Sequence, residues 1–373
     1  MIAATHGRTP LHGAHVKLGA KISPFGGFLM PIQYTGIIDE HNAVRTAAGM
    51  FDLSHMGQLV ATGTGVEAWL DGLTSNAVAS MRPNQARYNI FTAESGGALD
   101  DAIIYRLPQR WLIVVNASNT QKIWDWLSAR AHFGITLTKR TPQYALIAIQ
   151  GPRSVELLAP FVDADVGALR YYYAMEADVA GVPAEIARTG YTGEDGFELF
   201  VEERFALGLW DRFLSAGVGL GVRPVGLGAR DVLRLEAGMP LYGHELTEQI
   251  TPLMAGLDWV VKLDKPSFVG KDALALQKAA GDYDRIVGVI MAGRAPARAG
   301  YSVYADGVLA GEVRSGSPAP ALGGKNIATA LVGERFAAVG TKVEVQIRDQ
   351  RHGGTVVPLP FYRREKAANV RRT

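Results

Sequence analysis

The spacing of apolar residues divides the chain into two textures. Over residues 37–48, Ile37, Ile38, His41, Val44 and Arg45 recur near the helical period and Gly49 is a good stop, so the pattern predicts a helix. Residues 58–61 and 111–115 read as strands; the second, Trp-Leu-Ile-Val-Val, is continuously apolar and is expected to be covered on both faces. A helix is predicted over 119–132, with Ile123, Trp124 and Leu127 facing inward. A short strand follows over 145–149, closed by Gly151-Pro152. Amphipathic helices are predicted over 203–216 and 227–238.

Beyond residue 285 the helical period disappears. Short β-rich runs follow at 286–291, 301–304, 308–313, 327–332 and 343–347, with Asp306-Gly307 as a hairpin signal. Closely spaced strands without helices suggest a small barrel or sandwich. A boundary is placed near residue 280, in the polar segment 278–284, giving units of 1–280 and 281–373. The first unit mixes strand and helix without strict alternation, which favours an α+β fold over a doubly wound sheet.

Composition narrows the function classes. Among 373 residues, 38 Lys plus Arg against 36 Asp plus Glu leave a net charge of +2, unlike a dedicated nucleic-acid binder. The absence of cysteine removes disulfides, thiolate metal sites and cysteine nucleophiles together. The start, MIAATHGRTP, lacks the apolar core of a signal peptide, and no apolar run approaches the ~18 residues of a membrane span. The expectation is a soluble, cytoplasmic enzyme that binds neither membrane nor nucleic acid. Residues 363–373 carry a net +4, leaving the remainder at −2; such a tail is either a solvated terminus or a contact for an acidic partner.

Three segments can carry chemistry. The first is Gly96-Gly97-Ala98-Leu99-Asp100-Asp101-Ala102-Ile103-Ile104-Tyr105, a turn feeding a strand that opens with two acids. Strand alternation lets only Asp101 share a face with Ile103 and Tyr105. An acid beside an apolar face has a raised pKa unless paired, and can accept a proton; the other reading is that both acids complete the turn. The second runs from Arg188 to Leu199, with glycines at 190, 193 and 196. It is neither a Walker loop nor a dinucleotide fingerprint, and Glu194 and Asp195 would repel phosphate. Glu198 lies in the apolar run that follows, where a carboxylate needs a partner: a ligand with parallel N–H donors, or an arginine of the protein. The third is Gly226 to Gly238, a glycine-started helix with Arg230 in its first turn. A cation is unfavourable against that end of the helix dipole, so Arg230 either awaits an anion or pairs with Asp231, Glu236 or another acid. The eight histidines form no metal motif; His41, His55 and His244 are far apart and read as structural. Tyr88 and the cluster Tyr171-Tyr172-Tyr173 can stack on a flat ligand or fill a core.

Taken together, the segments resemble the glycine cleavage T-protein family of tetrahydrofolate-dependent aminomethyltransferases. The resemblance begins with Thr9-Pro10-Leu11, Met30-Pro31, Asp39-Glu40-His41 and Gly49-Met50-Phe51-Asp52-Leu53-Ser54-His55-Met56. It runs in order through Asp100-Asp101, Gln150-Gly151-Pro152, 188–194, 226–238 and Phe268-Val269-Gly270-Lys271 to Ser317-Pro318 and Pro360-Phe361. It implies a two-lobed folate-binding body with a C-terminal β-barrel, arranged as a cloverleaf around a central hole. A lipoyl-bearing H-protein would visit transiently and deliver an aminomethyl group, with release of ammonia and no metal. By this resemblance Asp101 is the catalytic acid and Glu198 the pterin-recognising carboxylate. Tyr88, Ile103, Tyr105, Asn116, Tyr191 and Arg230 contact folate, and a C-terminal contact falls on Arg363 or its neighbour Tyr362. The chain has Gly27-Phe28 where the family often has Gly-Trp, and Asn89 where it often has a small residue. A tetrahydrofolate-dependent demethylase on the same scaffold is the alternative. A folate-binding assembly factor is disfavoured because the stretch 266–271 lacks that group's cysteine.

Overall fold

The structure, a computed structural model, describes residues 6–364. The basic tail beyond Arg364 lies outside the described residues. The apolar run Trp111–Val115 is the middle strand of a five-stranded antiparallel sheet, in the order Ala86–Thr92, Ala98–Arg106, Trp111–Val115, Gly57–Gly63, Ile135–Lys139. All five of its residues are buried because both faces of the sheet are covered. Ile113 and Val115 pack with Leu70 of helix Val66–Leu73 and with Ile123 and Leu127 of helix Thr120–Ser128. Leu112 and Val114 face the other way, onto Phe51, Leu146 and Phe200 of a second sheet.

That second sheet has six strands: Ala174–Val179, Val182–Ala187, Gly196–Glu202, Tyr144–Gln150, Gly49–Asp52 and Arg223–Pro224. Only the last pair is parallel. Helix Glu203–Gly217 covers its outer face with Ala206, Leu209, Trp210 and Phe213, the spacing of one helical stripe. Each large apolar side chain buried there contributes about 1.5–3 kcal/mol.

Helix Leu227–Glu236 joins the parts. It packs against strand Phe28–Gln33, helix Ile37–Thr46 and two strands of the C-terminal barrel. Its start is fixed by a close approach: a Cβ on Gly226 would lie 2.3 Å from the Ile32 carbonyl. The buried Glu40 carboxylate secures the same point, accepting the Gly226 N–H at 2.8 Å and those of Tyr34, Thr35 and Gly36. The barrel is closed and six-stranded: Arg285–Met291, Lys325–Val332, Val308–Ala319, Ser302–Ala305, Lys342–Ile347 and Gln350–Val357, the last pairing back to the first. Helix Lys271–Ala280 ends just before it. Among the described residues no helix is long and apolar enough to cross a membrane.

The structure departs from the sequence pattern in places. Ile38, placed on the inward stripe of its helix, is 61% exposed, and the buried face is instead Glu40, His41, Ala43 and Val44. The polar groups of that face are held by partners, which period counting does not see. Strand Gln350–Val357 and the hairpin Lys21–Phe25/Phe28–Gln33 have no clean alternation, and pairing with neighbours makes them strands. Strand Val308–Ala319 runs six residues past its predicted end.

Candidate functional site

The Gly96-Gly97 turn is pressed against the segment 247–250. A Cβ on Gly97 would lie 1.9 Å from the Glu248 carbonyl oxygen, and Ala98 N–H donates to the Thr247 carbonyl at 2.9 Å. The strand that follows alternates as expected. Asp100, Ala102 and Ile104 are buried towards the helix-covered face; Asp101, Ile103 and Tyr105 line a cavity of about 550 Å³ beneath the second sheet and helix Leu227–Glu236.

The two acids are held differently. Asp101 accepts the Tyr88 hydroxyl at 3.0 Å and Asn116 Nδ2 at 2.7 Å. Asp100 is fully buried and accepts Asn116 N, Asn116 Nδ2 and Asn119 Nδ2 at 3.1, 2.8 and 2.7 Å. Burial raises both carboxyls above the usual range, and the charge of Asp101 adds to the rise at Asp100. The Tyr88 and Asn116 donors oppose the rise at Asp101. An acid with neutral donors and an open cavity side can exchange a proton with a ligand. The same three-donor clasp keeps Asp100 out of the cavity.

Glu198 borders the same cavity. It accepts the Thr189 hydroxyl and, at 3.3 Å, the Tyr105 hydroxyl. Among the described residues it pairs with no cation, so of its two readings the in-protein arginine is absent. Arg230 is likewise unpaired among the described residues. The acids that could have held it are engaged elsewhere: Asp231 by Arg234 at 2.8 Å, and Glu236 by His41 and Arg45 at 2.7 and 2.6 Å. The Arg230 guanidinium stacks over the Tyr191 ring, 4.6 Å from its centroid, and burial lowers its pKa. Tyr191 is fixed by donating its hydroxyl to the Pro240 carbonyl.

The structure thus brings together Tyr88, Asp101, Ile103, Tyr105, Asn116, Tyr191, Glu198 and Arg230 around one cavity. It does not bring Arg363 there: Arg363 is exposed and absent from the lining. Its neighbour Tyr362 donates to Glu194 at 2.7 Å and lies under the Arg45 guanidinium, 3.9 Å from the ring centroid. Within 188–196 the acids serve as ties, Glu194 to Arg45 at 2.9 Å and Asp195 to Arg188 at 2.5 Å. Of the tyrosine cluster, Tyr172 alone reaches the cavity lining.

Several lining residues escaped sequence reasoning. Trp259, 56% exposed, stacks on Tyr88 with centroids 5.8 Å apart. It lies on the short turn Asp258–Val260, where no period marks it. His55 and His244, read as structural, both line the cavity. Burial holds His55 at about 4, helped by the charge of Arg230, so it is neutral near pH 7. The adjacency Asp52-Leu53-Ser54-His55 was the one available signal for it.

Comparison with known proteins agrees with this architecture. The family model of the GCVT N-terminal domain matches residues 11–265, and that of the glycine cleavage T-protein C-terminal barrel domain matches residues 285–363. The chain is 46% identical over 363 residues to an aminomethyltransferase of Geobacillus thermodenitrificans, covering 96% of this chain and 99% of the relative. It is 48% identical over 366 residues to an aminomethyltransferase of Streptomyces coelicolor, covering 96% and 98%. The crystal structure of glycine cleavage system aminomethyltransferase T from Bartonella henselae superposes with a TM-score of 0.90 at 33% identity, covering 96% of this chain and 98% of that one.

Proposed function

The chain belongs to the glycine cleavage T-protein family, and on that premise we propose that it transfers the methylene of an aminomethyl-dihydrolipoyl group, carried by an H-protein, to tetrahydrofolate with release of ammonia. The observation that carries this reading is a pair of charges in one cavity without an ion-pair contact among the described residues: Glu198, held only by hydroxyls, and Arg230, stacked on an aromatic ring. Tetrahydrofolate offers what each lacks, a ring edge of adjacent N–H donors and an anionic tail.

When bound, tetrahydrofolate supplies the nucleophilic nitrogens that receive the one-carbon unit. The protein's residues orient it and handle protons. Glu198, steadied by Thr189 and Tyr105, accepts N–H donors of the pterin. Tyr88, Tyr172 and Tyr191 supply aromatic walls. Arg230 offers a guanidinium at the start of its helix, where an anion is favoured by the dipole and the free N–H groups. Asp101, held by Tyr88 and Asn116, accepts a hydrogen bond or proton from a folate nitrogen at its free carboxylate side. Such chemistry needs two reactants held in place and protons moved from and to nitrogen. Arg363 is assigned, within this reading, to the outer end of the folate tail.

The test is ammonia release from aminomethyl-loaded H-protein, with and without tetrahydrofolate. Release that depends on tetrahydrofolate and yields its methylene derivative supports the reading. No dependence on tetrahydrofolate, together with demethylation of a sulfonium, ether or N-methyl compound, would replace it by the demethylase.

A further inference from the structure

His244 lines the cavity without a part in the reading above, and its tautomer is fixed. Its Nδ1 lies 2.8 Å from the Arg314 carbonyl oxygen, which can only accept, so Nδ1 carries the hydrogen. Arg314 in turn donates Nε to the His244 carbonyl at 2.7 Å. The first contact holds the imidazole and the second the His244 backbone against barrel strand Val308–Ala319. In the neutral imidazole with its hydrogen on Nδ1, Nε2 is the lone-pair acceptor, and it has no protein donor among the described residues.

The carboxylates of the cavity wall each hold donors of the protein, and Asp101 and Glu198 keep further lone pairs for the folate. Asp101 receives Tyr88 and Asn116, Glu198 receives Tyr105 and Thr189, and Asp231 receives Arg234. Nε2 of His244 is a further acceptor on that wall, with no donor from the protein among the described residues. An aminomethyl donor differs from a methylated sulfonium or ether in carrying N–H groups at the reacting centre. We propose that His244 Nε2 accepts an N–H hydrogen bond from the nitrogen of the aminomethyl group, and from the ammonia that leaves, making His244 a specificity residue for amine-bearing donors. The inference rests on the aminomethyl-transfer reading.

The reverse reaction tests it, because ammonia is then a substrate whose KM can be varied against that of the folate. The assay combines dihydrolipoyl H-protein, methylene-tetrahydrofolate and ammonia. His244→Phe keeps the ring and removes both nitrogens; His244→Leu removes them without added bulk. Both are expected to raise the KM for ammonia roughly tenfold, the worth of one hydrogen bond of about 1.4 kcal/mol. The KM for methylene-tetrahydrofolate should stay unchanged. His244→Asn retains an N–H for the Arg314 carbonyl and an oxygen towards the cavity, and should restore most of the ammonia KM. An unchanged ammonia KM in either apolar variant overturns the inference. A parallel rise in both KM values also overturns it, since it marks a structural clamp or a folate contact. If the unsubstituted protein shows no ammonia-dependent condensation, the aminomethyl reading itself falls, and this inference with it.

Discussion

Two clusters of charge lie in the interior of this molecule, and they are built on opposite principles. Around Arg45, every charge meets another. Its guanidinium reaches Glu194 at 2.9 Å, Glu236 at 2.6 Å and the Thr192 carbonyl at 2.6 Å; His41 also holds Glu236, and Tyr362 closes the cluster. Glu236 further accepts the Ala321 N–H at 3.0 Å, so the cluster fastens the barrel and the C-terminal strand of chain to the body. Its carboxylate is held below the usual range: His41 and Arg45 outweigh the burial that would raise it. In the cavity, by contrast, Asp101 and Glu198 accept only neutral donors, and Arg230 touches an aromatic ring and feels the Glu198 charge without an ion-pair contact. A buried charge without a counter-charge costs stability. Asp101, Glu198 and Arg230 are half-buried on one cavity wall with no ion-pair partner among the described residues, an arrangement that suits a charged, hydrogen-bonding ligand.

The contrast can be broken from the cavity side first. Asp101→Asn should lower turnover by roughly 10²–10⁴, the usual worth of general acid–base catalysis, with little change in unfolding free energy. Asp100→Asn should do the reverse, costing mainly stability, because Asp100 itself faces away from the cavity and anchors Asn116 and Asn119 from behind. Steady-state kinetics and urea unfolding on both variants decide it; a larger turnover loss for Asp100→Asn would exchange their roles.

From the other side, Arg45→Met leaves Glu236 and Glu194 without their cation. The expected loss is about 3–5 kcal/mol of unfolding free energy, the range for breaking a buried ion pair. A loss below about 1 kcal/mol, the worth of an exposed pair, would erase the distinction between the clusters. The smallest effect is Glu198→Gln, which keeps the shape but removes the negative charge. Calorimetry should show tetrahydrofolate binding weakened by about 1.5–3 kcal/mol, as for hydrogen bonds to charged groups. Unchanged affinity would place Glu198 outside the folate contacts.

The same contrast explains what could be read from the sequence. Asp101 was legible because strand alternation is a local rule, and its face follows from Ile103 and Tyr105. Glu198 and Arg230 were legible as local misfits, a carboxylate in an apolar run and a cation at a helix start. Whether a partner in the protein resolved each misfit depended on tertiary contacts. Arg230 was free because Asp231 and Glu236 were engaged by residues as distant as His41 and Arg45. His244 and Trp259 were not legible, since the stretch between helices Leu227–Glu236 and Lys271–Ala280 is irregular and has no period to place a side chain. Strand Gln350–Val357 was hidden for a related reason: closure of the barrel, and not its own pattern, makes it a strand. Ile38 shows the converse, a correct helix whose inner face is chosen by the hydrogen bonds of Glu40 and His41.

The most direct test replaces the unpaired cation itself. Tetrahydrofolate binding to Arg230→Met is measured by calorimetry, and the unfolding free energy of the free variant is measured beside it. If Arg230 is held uncompensated for the ligand, affinity falls by at least about tenfold, a charged hydrogen bond's worth, while stability is equal to or higher than that of the unsubstituted protein. Undiminished folate affinity with a loss of stability would show that Arg230 serves the fold, and would contradict the account.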